Sequence, residues 1–252
     1  CLRGLVGSEM CIRDRRSFMW LLGSRLAILM AGGILTGLGI FYVADSLQYE
    51  QDMAGLALIP VVGLVAVGTV VSVVPAARLS DRIGRKRVIW ASCLLGVVGL
   101  GLVALAPSVA PLPAGILERD GRGAIELLLS DPRYGVALVG AVIYGLSAGA
   151  FLAVDWALIT DIIPKASSGR YMGISNVATA SAGVLAIALG GVVLDRIAGL
   201  HGDAAGPVAA MWLAVALMAL GAVLLLPVRE PGAAGHGHGQ VDTQRATASE
   251  SP

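Results

Sequence analysis

Charge is scarce in this sequence. Of 252 residues only 14% are Asp, Glu, Lys or Arg, against 56% hydrophobic residues and a mean hydropathy of +0.81. That balance excludes an ordinary soluble domain and points to a membrane protein. Aromatic residues are also scarce, at 5%, which disfavours a large aromatic drug pocket. Cys1, Cys11 and Cys93 make no paired framework; Cys93 falls inside an apolar run, where a reduced, packed thiol is expected. Zinc-finger spacing and regular basic and aromatic interleaving are missing, which sets nucleic-acid binding aside. The GxxxxGK[ST] phosphate loop is missing too, so ATP drive would need a separate subunit. No nucleophile, base and orienting group converge at readable spacing, so the chain does not read as an enzyme, and nothing calls for a cofactor. His236 and His238 in GHGHG have no further ligand near them in sequence, and a polar tail explains them better than a metal site.

Long apolar runs dominate what remains. Each bilayer crossing needs about 20 mostly apolar residues, and six stretches qualify: Phe18–Ala44, Met53–Ala77, Val88–Ala106, Gly135–Thr160, Tyr171–Leu194 and Val208–Leu226. The expected fold class is therefore an all-α polytopic membrane protein with six transmembrane helices. Pro60 and Pro75 are placed to bend or end the second helix, and Pro164 to stop the fourth. A short helix is expected around GAIELLL in the connection from Pro107 to Tyr134. GGVVLDR, with Gly191, Asp195 and Arg196, reads as an end-of-helix turn. Residues 1–17 form a basic lead-in, residues 18–227 the membrane domain and residues 228–252 a polar, disordered tail.

The basic residues orient the bundle. With the N-terminus inside, 13 lie on the cytoplasmic side and four outside, with Arg25 left within the first span. This predicts both termini in the cytoplasm and the plasma membrane (inner membrane of a bacterial cell) as the location. The densest group is RLSDRIGRKR, residues 78–87, with five basic side chains, one acid and one glycine. A solvated anchoring loop would explain it. The spacing allows more: Asp81 lies near a helix end among Arg78, Arg82 and Arg85, where charge-assisted bonds would make a latch, and Gly84 permits a tight reversal.

ARLSDRIGRK, Ala77–Lys86, resembles the signature of the major facilitator superfamily. Leu79, Asp81, Arg82, Gly84, Arg85 and Lys86 match, and Ala77 stands where the signature has its first glycine. DIIPKASSGRYMGISN, Asp161–Asn176, is similar to the region between helices ten and eleven of cation-coupled sugar carriers in that superfamily, through Gly169, Arg170, Met172 and Gly173. The resemblance implies a major-facilitator-type half of six helices, the C-terminal one of two. Residues 1–17 would then be the end of a central loop, and Cys1 an internal residue. The partners implied are a missing N-terminal six-helix half, or else a homodimer partner, together with the lipid bilayer, a small solute, and H+ or another cation carried in symport.

Charges within spans are costly and so point to function or to pairing. Arg25 in the first span and Asp155 in the fourth lie at similar depths from the same side, which allows them to meet; in the resembled family these spans line the central cavity. Snorkelling is the alternative for Arg25, and a structural hydrogen bond for Asp155. Trp156 and Tyr144 are candidates for cavity lining and stacking on a solute, or for packing. Asn176 and Thr179, three apart on one helix, either bond across helices or face water. Asp161 fits loop structure better than proton transfer. Gly33 with Gly37, and Gly145 with Gly149, have the four-residue spacing that lets helices approach closely. The function expected is secondary active transport of a small solute by alternating access, coupled to H+ or another cation. Drug or metabolite efflux, and a membrane scaffold that moves no solute, are the alternatives.

Overall fold

A computed structural model describes residues 2–111, 128, 130–162 and 168–228. Every regular element among them is helical: α1 (Leu2–Phe41), a π-helical turn (Tyr42–Ser46), α2 (Gln51–Ile83), α3 (Arg85–Leu105), a 3-10 turn (Ala106–Ser108), α4 (Pro132–Ile162), α5 (Ser168–His201) and α6 (Ala205–Leu225). Each of the six long helices contains a stretch long and apolar enough to cross a bilayer. The spans match the sequence expectation, and several run further. The second continues to Ile83 through both Pro60 and Pro75, because local adjustment of a transmembrane helix can satisfy the carbonyls that proline frees. The fifth continues to His201, so GGVVLDR is helix, not a turn. Asp195 and Arg196 are exposed on α5, and the chain reverses at Gly202, whose φ of +96° suits glycine. GAIELLL lies outside the described residues except for Leu128, and the tail with His236 and His238 lies wholly outside them.

The helices pack as two sets of three. α4 packs against α2 and α3, α1 against α5 and α6, and α3 against α6. Exchanging α1 with α4, α2 with α5 and α3 with α6 reproduces the same interfaces, the pattern of an inverted repeat. The glycine pairs follow this symmetry. A Cβ at Gly33 or Gly37 would meet Ala186 or Ile187 on α5, and one at Gly145 or Gly149 would meet Val65 or Thr69 on α2. Gly145 and Gly149 lie against the α2 backbone and Gly33 and Gly37 against α5 side chains, close approaches where dispersion contacts replace the hydrophobic drive that lipid does not supply.

Hydrogen bonds between helices complete the packing. Ser24 Oγ donates to the Gly221 carbonyl at 2.7 Å, Ser147 Oγ to the Ser92 carbonyl at 2.7 Å, and Tyr134 Oη to the Ala57 carbonyl at 2.6 Å. Such bonds contribute about 0.6 kcal/mol each in membranes. α2 and α5 remain the least covered: 11% and 17% of their most apolar stretches are buried, against 39 to 56% for the other four. Val70 on α2 and Val184 on α5 stand more than two-thirds exposed.

Candidate functional site

Residues three or four apart share a helix face, and one such stripe on α1 (Arg25, Leu29, Gly32, Thr36) meets one on α4 (Tyr144, Ala148, Phe151, Asp155). At the end nearer the basic turn, Arg25 Nη1 forms an ion pair with Asp155 Oδ2. Both side chains are buried, at 3% and 1% exposure. Arg25 therefore does not snorkel. Its Nε donates to Thr179 Oγ1 on α5 at 3.2 Å, and its guanidinium carbon lies 4.8 Å from the centre of the Trp156 ring. Thr179 in turn donates to the Ser175 carbonyl at 2.9 Å. Beyond the ion pair, neither carboxylate oxygen of Asp155 has a hydrogen-bond donor among the described residues. The pair thus ties together three helices, with few other contacts to hold the carboxylate.

Of the residues expected to line a cavity, Trp156 reaches the pair through its ring face. Tyr144 is buried further along the α4 stripe, its hydroxyl lying against Gly32 on α1. Thr179 bonds across helices while Asn176, three residues earlier, is exposed, so the two positions separate although they are close in angle.

At the basic turn, Gly84 adopts φ +96° and ψ 146° and caps α2 through its N–H to the Ser80 carbonyl at 3.0 Å. This reversal aims the next two side chains back at the bundle. Arg85 Nη1 donates to the Ala157 carbonyl on α4 at 2.5 Å, and Lys86 Nζ donates to the carbonyls of Leu226 and Val228, beyond α6, at 2.7 and 2.5 Å. Cations at helix C-terminal carbonyls also complement the negative end of the helix dipole. Asp81 and Arg82 point outward and are exposed. Asp81 makes no ion pair among the described residues: Arg85 is drawn to Ala157, and Arg82, the next residue along the helix, is displaced by about 100° around its axis. Gly169 is exposed; the side chains of Asp161 and Arg170 lie outside the described residues.

A second buried ionic cluster closes the opposite end. Asp131 precedes Pro132, the first residue of α4, and its Oδ1 accepts the Arg133 N–H at 2.8 Å, an N-cap followed by proline at N1. The Arg133 guanidinium donates to both carboxylate oxygens and to the Leu47 carbonyl, and Tyr49 Oη donates to Oδ2 at 2.8 Å. Burial opposes ionisation of Asp131. The bonds from Arg133 and Tyr49, with the Arg133 charge, outweigh it and hold the carboxyl below its ordinary value. Burial first, and then the bond to Asp131, push the Tyr49 hydroxyl upward. From its place in the sequence Arg133 is only one of the four outer-side charges. The Asp-Pro-Arg order at a helix start was the signal available.

These features define a class: a polytopic α-helical membrane protein, built of two inverted repeats, α1–α3 and α4–α6, with an ion pair between their first helices, α1 and α4. The chain belongs to the major facilitator superfamily, whose family model matches residues 20–248. It is 27% identical over 174 residues to the minor myo-inositol transporter IolF of Bacillus subtilis (strain 168), over 69% of this chain and 33% of that protein. The chain thus spans about a third of the length of this curated relative.

Proposed function

We propose that this chain is a six-helix half of a secondary transporter that moves a small polar solute by alternating access, coupled to H+ or another cation. Arg25 and Asp155 form the coupling element. The observation that carries the reading is the buried Arg25–Asp155 pair joining α1 to α4. An isolated charge at such a depth costs about 2.5 to 3.5 kcal/mol or more, so the pair persists only while both groups are charged and close. Protonating Asp155 releases Arg25, and solute entering between α1 and α4 competes for the same groups. Trp156 and Thr179 then hold the freed guanidinium, and Asn176 faces the path.

Family membership and the relative's printed activity support solute transport, with a polyol or sugar as the solute class. The preponderance of basic residues beside the Gly84 turn supports a cytoplasmic location for that end and for both termini. There the turn acts as a latch. Arg85 and Lys86 fasten the α2–α3 hairpin to α4 and the end of α6 within this half, while exposed Asp81 and Arg82 are left to engage the complementary half. Asp161, Gly169 and Arg170 shape the neighbouring cytoplasmic loop. A membrane potential of about 100 mV contributes roughly 2.3 kcal/mol per translocated charge, which is sufficient drive for accumulation.

The test is uptake of myo-inositol into energised vesicles carrying the protein with its complementary half. Asp155→Asn should abolish accumulation against a gradient and flatten its pH dependence, while downhill exchange survives. Accumulation by the variant with the pH profile of the unaltered protein would remove the coupling role.

A further inference from the structure

Between α1 and α4, beginning about one turn beyond the ion pair, lies a cavity of about 240 Å³. It is smaller than the pockets of roughly 300 to 1,000 Å³ that hold drug-sized ligands. Its polar lining comes from Thr36, Ser92, Tyr144 and Ser147, its apolar lining includes Phe151 and Met218, and no charged side chain reaches it.

The hydroxyl protons in this wall are largely committed. Thr36 Oγ1 donates to the Gly32 carbonyl at 3.0 Å, Ser92 Oγ to the Ile89 carbonyl at 2.7 Å, and Ser147 Oγ to the Ser92 carbonyl at 2.7 Å. A hydroxyl has one proton and two acceptor sites, so these three oxygens can offer a ligand only lone pairs. Tyr144 differs. Its side chain is 7% exposed, its hydroxyl borders the cavity, and its proton is given to no carbonyl among the described residues, unlike those of Thr36, Ser92 and Ser147. It fits where it does because Gly32 has no Cβ; one there would collide with the hydroxyl.

From this accounting we infer that the cavity is a subsite for a neutral polyhydroxylated solute, with Tyr144 its specificity-determining residue. The inference rests on the transport reading and narrows its substrate. A carboxylate or phosphate brings acceptors to a wall of acceptors and an uncompensated charge to a largely apolar cavity. A cation finds no free counter-charge, because Asp155 is engaged by Arg25. A ring hydroxyl can donate to Thr36, Ser92 or Ser147 while another accepts from Tyr144. A buried group left unpaired by the wrong ligand is what makes such a site selective.

Equilibrium binding to the purified full chain in lipid nanodiscs tests this separately from transport. The probes are myo-inositol, a deoxyfluoro-inositol lacking one hydroxyl, inositol monophosphate, glucose and sorbitol. At least one neutral polyol should bind, the fluorinated ring about fivefold to tenfold more weakly than its parent at the contacted position, and the phosphate not measurably. Tyr144→Phe, which keeps the ring and is first checked for folding by gel filtration, should weaken the neutral polyol by about fivefold to tenfold; Thr36→Val, checked in the same way, should weaken it too and gives a second reading on the wall. No binding by any neutral polyol, phosphate binding as tight as the parent, or unchanged affinity in folded Tyr144→Phe would each overturn the assignment. If the expected binding pattern held while the protein together with its complementary half showed no flux, the transport reading would fail and the subsite would stand.

Discussion

The bundle contains two buried Arg–Asp pairs that are built differently. Asp131 and Arg133 are two residues apart on one helix start, and the carboxylate also accepts the Arg133 backbone N–H and the Tyr49 hydroxyl. Arg25 and Asp155 are on separate helices, and the carboxylate has only its partner's charge. A pair saturated with bonds has nothing to gain from rearranging. A pair held by one contact in a low-dielectric setting depends on both charges being present, so any change of protonation or ligation alters it at once. We read the first as a fastener that fixes the α1–α2 connection to the start of α4, and the second as the movable element.

Breaking each pair sharpens the contrast. The largest effect is expected from Arg25→Gln, which leaves Asp155 buried without a counter-charge. Removing one member of a buried pair costs about 3 to 5 kcal/mol, and the Arg25→Gln, Asp155→Asn double variant should recover most of that, measured as thermal stability in nanodiscs. Equal destabilisation by the single and double variants would show that the charges are uncoupled. A smaller loss is expected from Asp131→Asn, about 1.5 to 3 kcal/mol for charge-assisted bonds, with solute affinity unchanged.

The fastener also predicts a pH response. The folded pKa of Asp131 lies below its ordinary value, so its stabilisation is present above about pH 4 and is lost as pH falls through the lower folded value. Asp131→Asn should remove that acid-range component from a melting-temperature profile and leave the neutral range parallel to the parent. The smallest effect concerns packing: Gly149→Ala places a methyl against the Thr69 carbonyl on α2. Overpacking of this kind costs about 1 to 3 kcal/mol, read as a lowered melting temperature with the solute subsite intact.

Much of the Arg25–Asp155 pair was legible in the sequence, and little of the Asp131 cluster was. Arg25 and Asp155 stand out because they interrupt apolar runs, and counting rise from a common membrane face brings them to one depth. Their neighbours are harder to read. Thr179 and Asn176 share a helix and a polarity, and only the placement of α1 against α5 turns one toward Arg25 and leaves the other exposed. Asp131, Arg133 and Tyr49 lie in or beside polar connections, where charge is ordinary and carries no signal of burial. The hydroxyl accounting around Tyr144 was hidden for a related reason: a serine or threonine in a helix spends its proton on a nearby carbonyl, and which carbonyl depends on the fold. The six spans were readable throughout because hydropathy is local, whereas their ends moved where helices continue past the apolar stretch, as α5 does to His201.

The most direct test of the account is infrared difference spectroscopy of the protein in lipid as solute is added, with Asp155→Asn and Asp131→Asn used to assign the carboxyl bands. The account predicts that the Asp155 band changes between its carboxylate and protonated forms while the Asp131 band stays fixed. An Asp155 carboxylate that is unmoved by solute and by pH, in a protein that still transports, would contradict it.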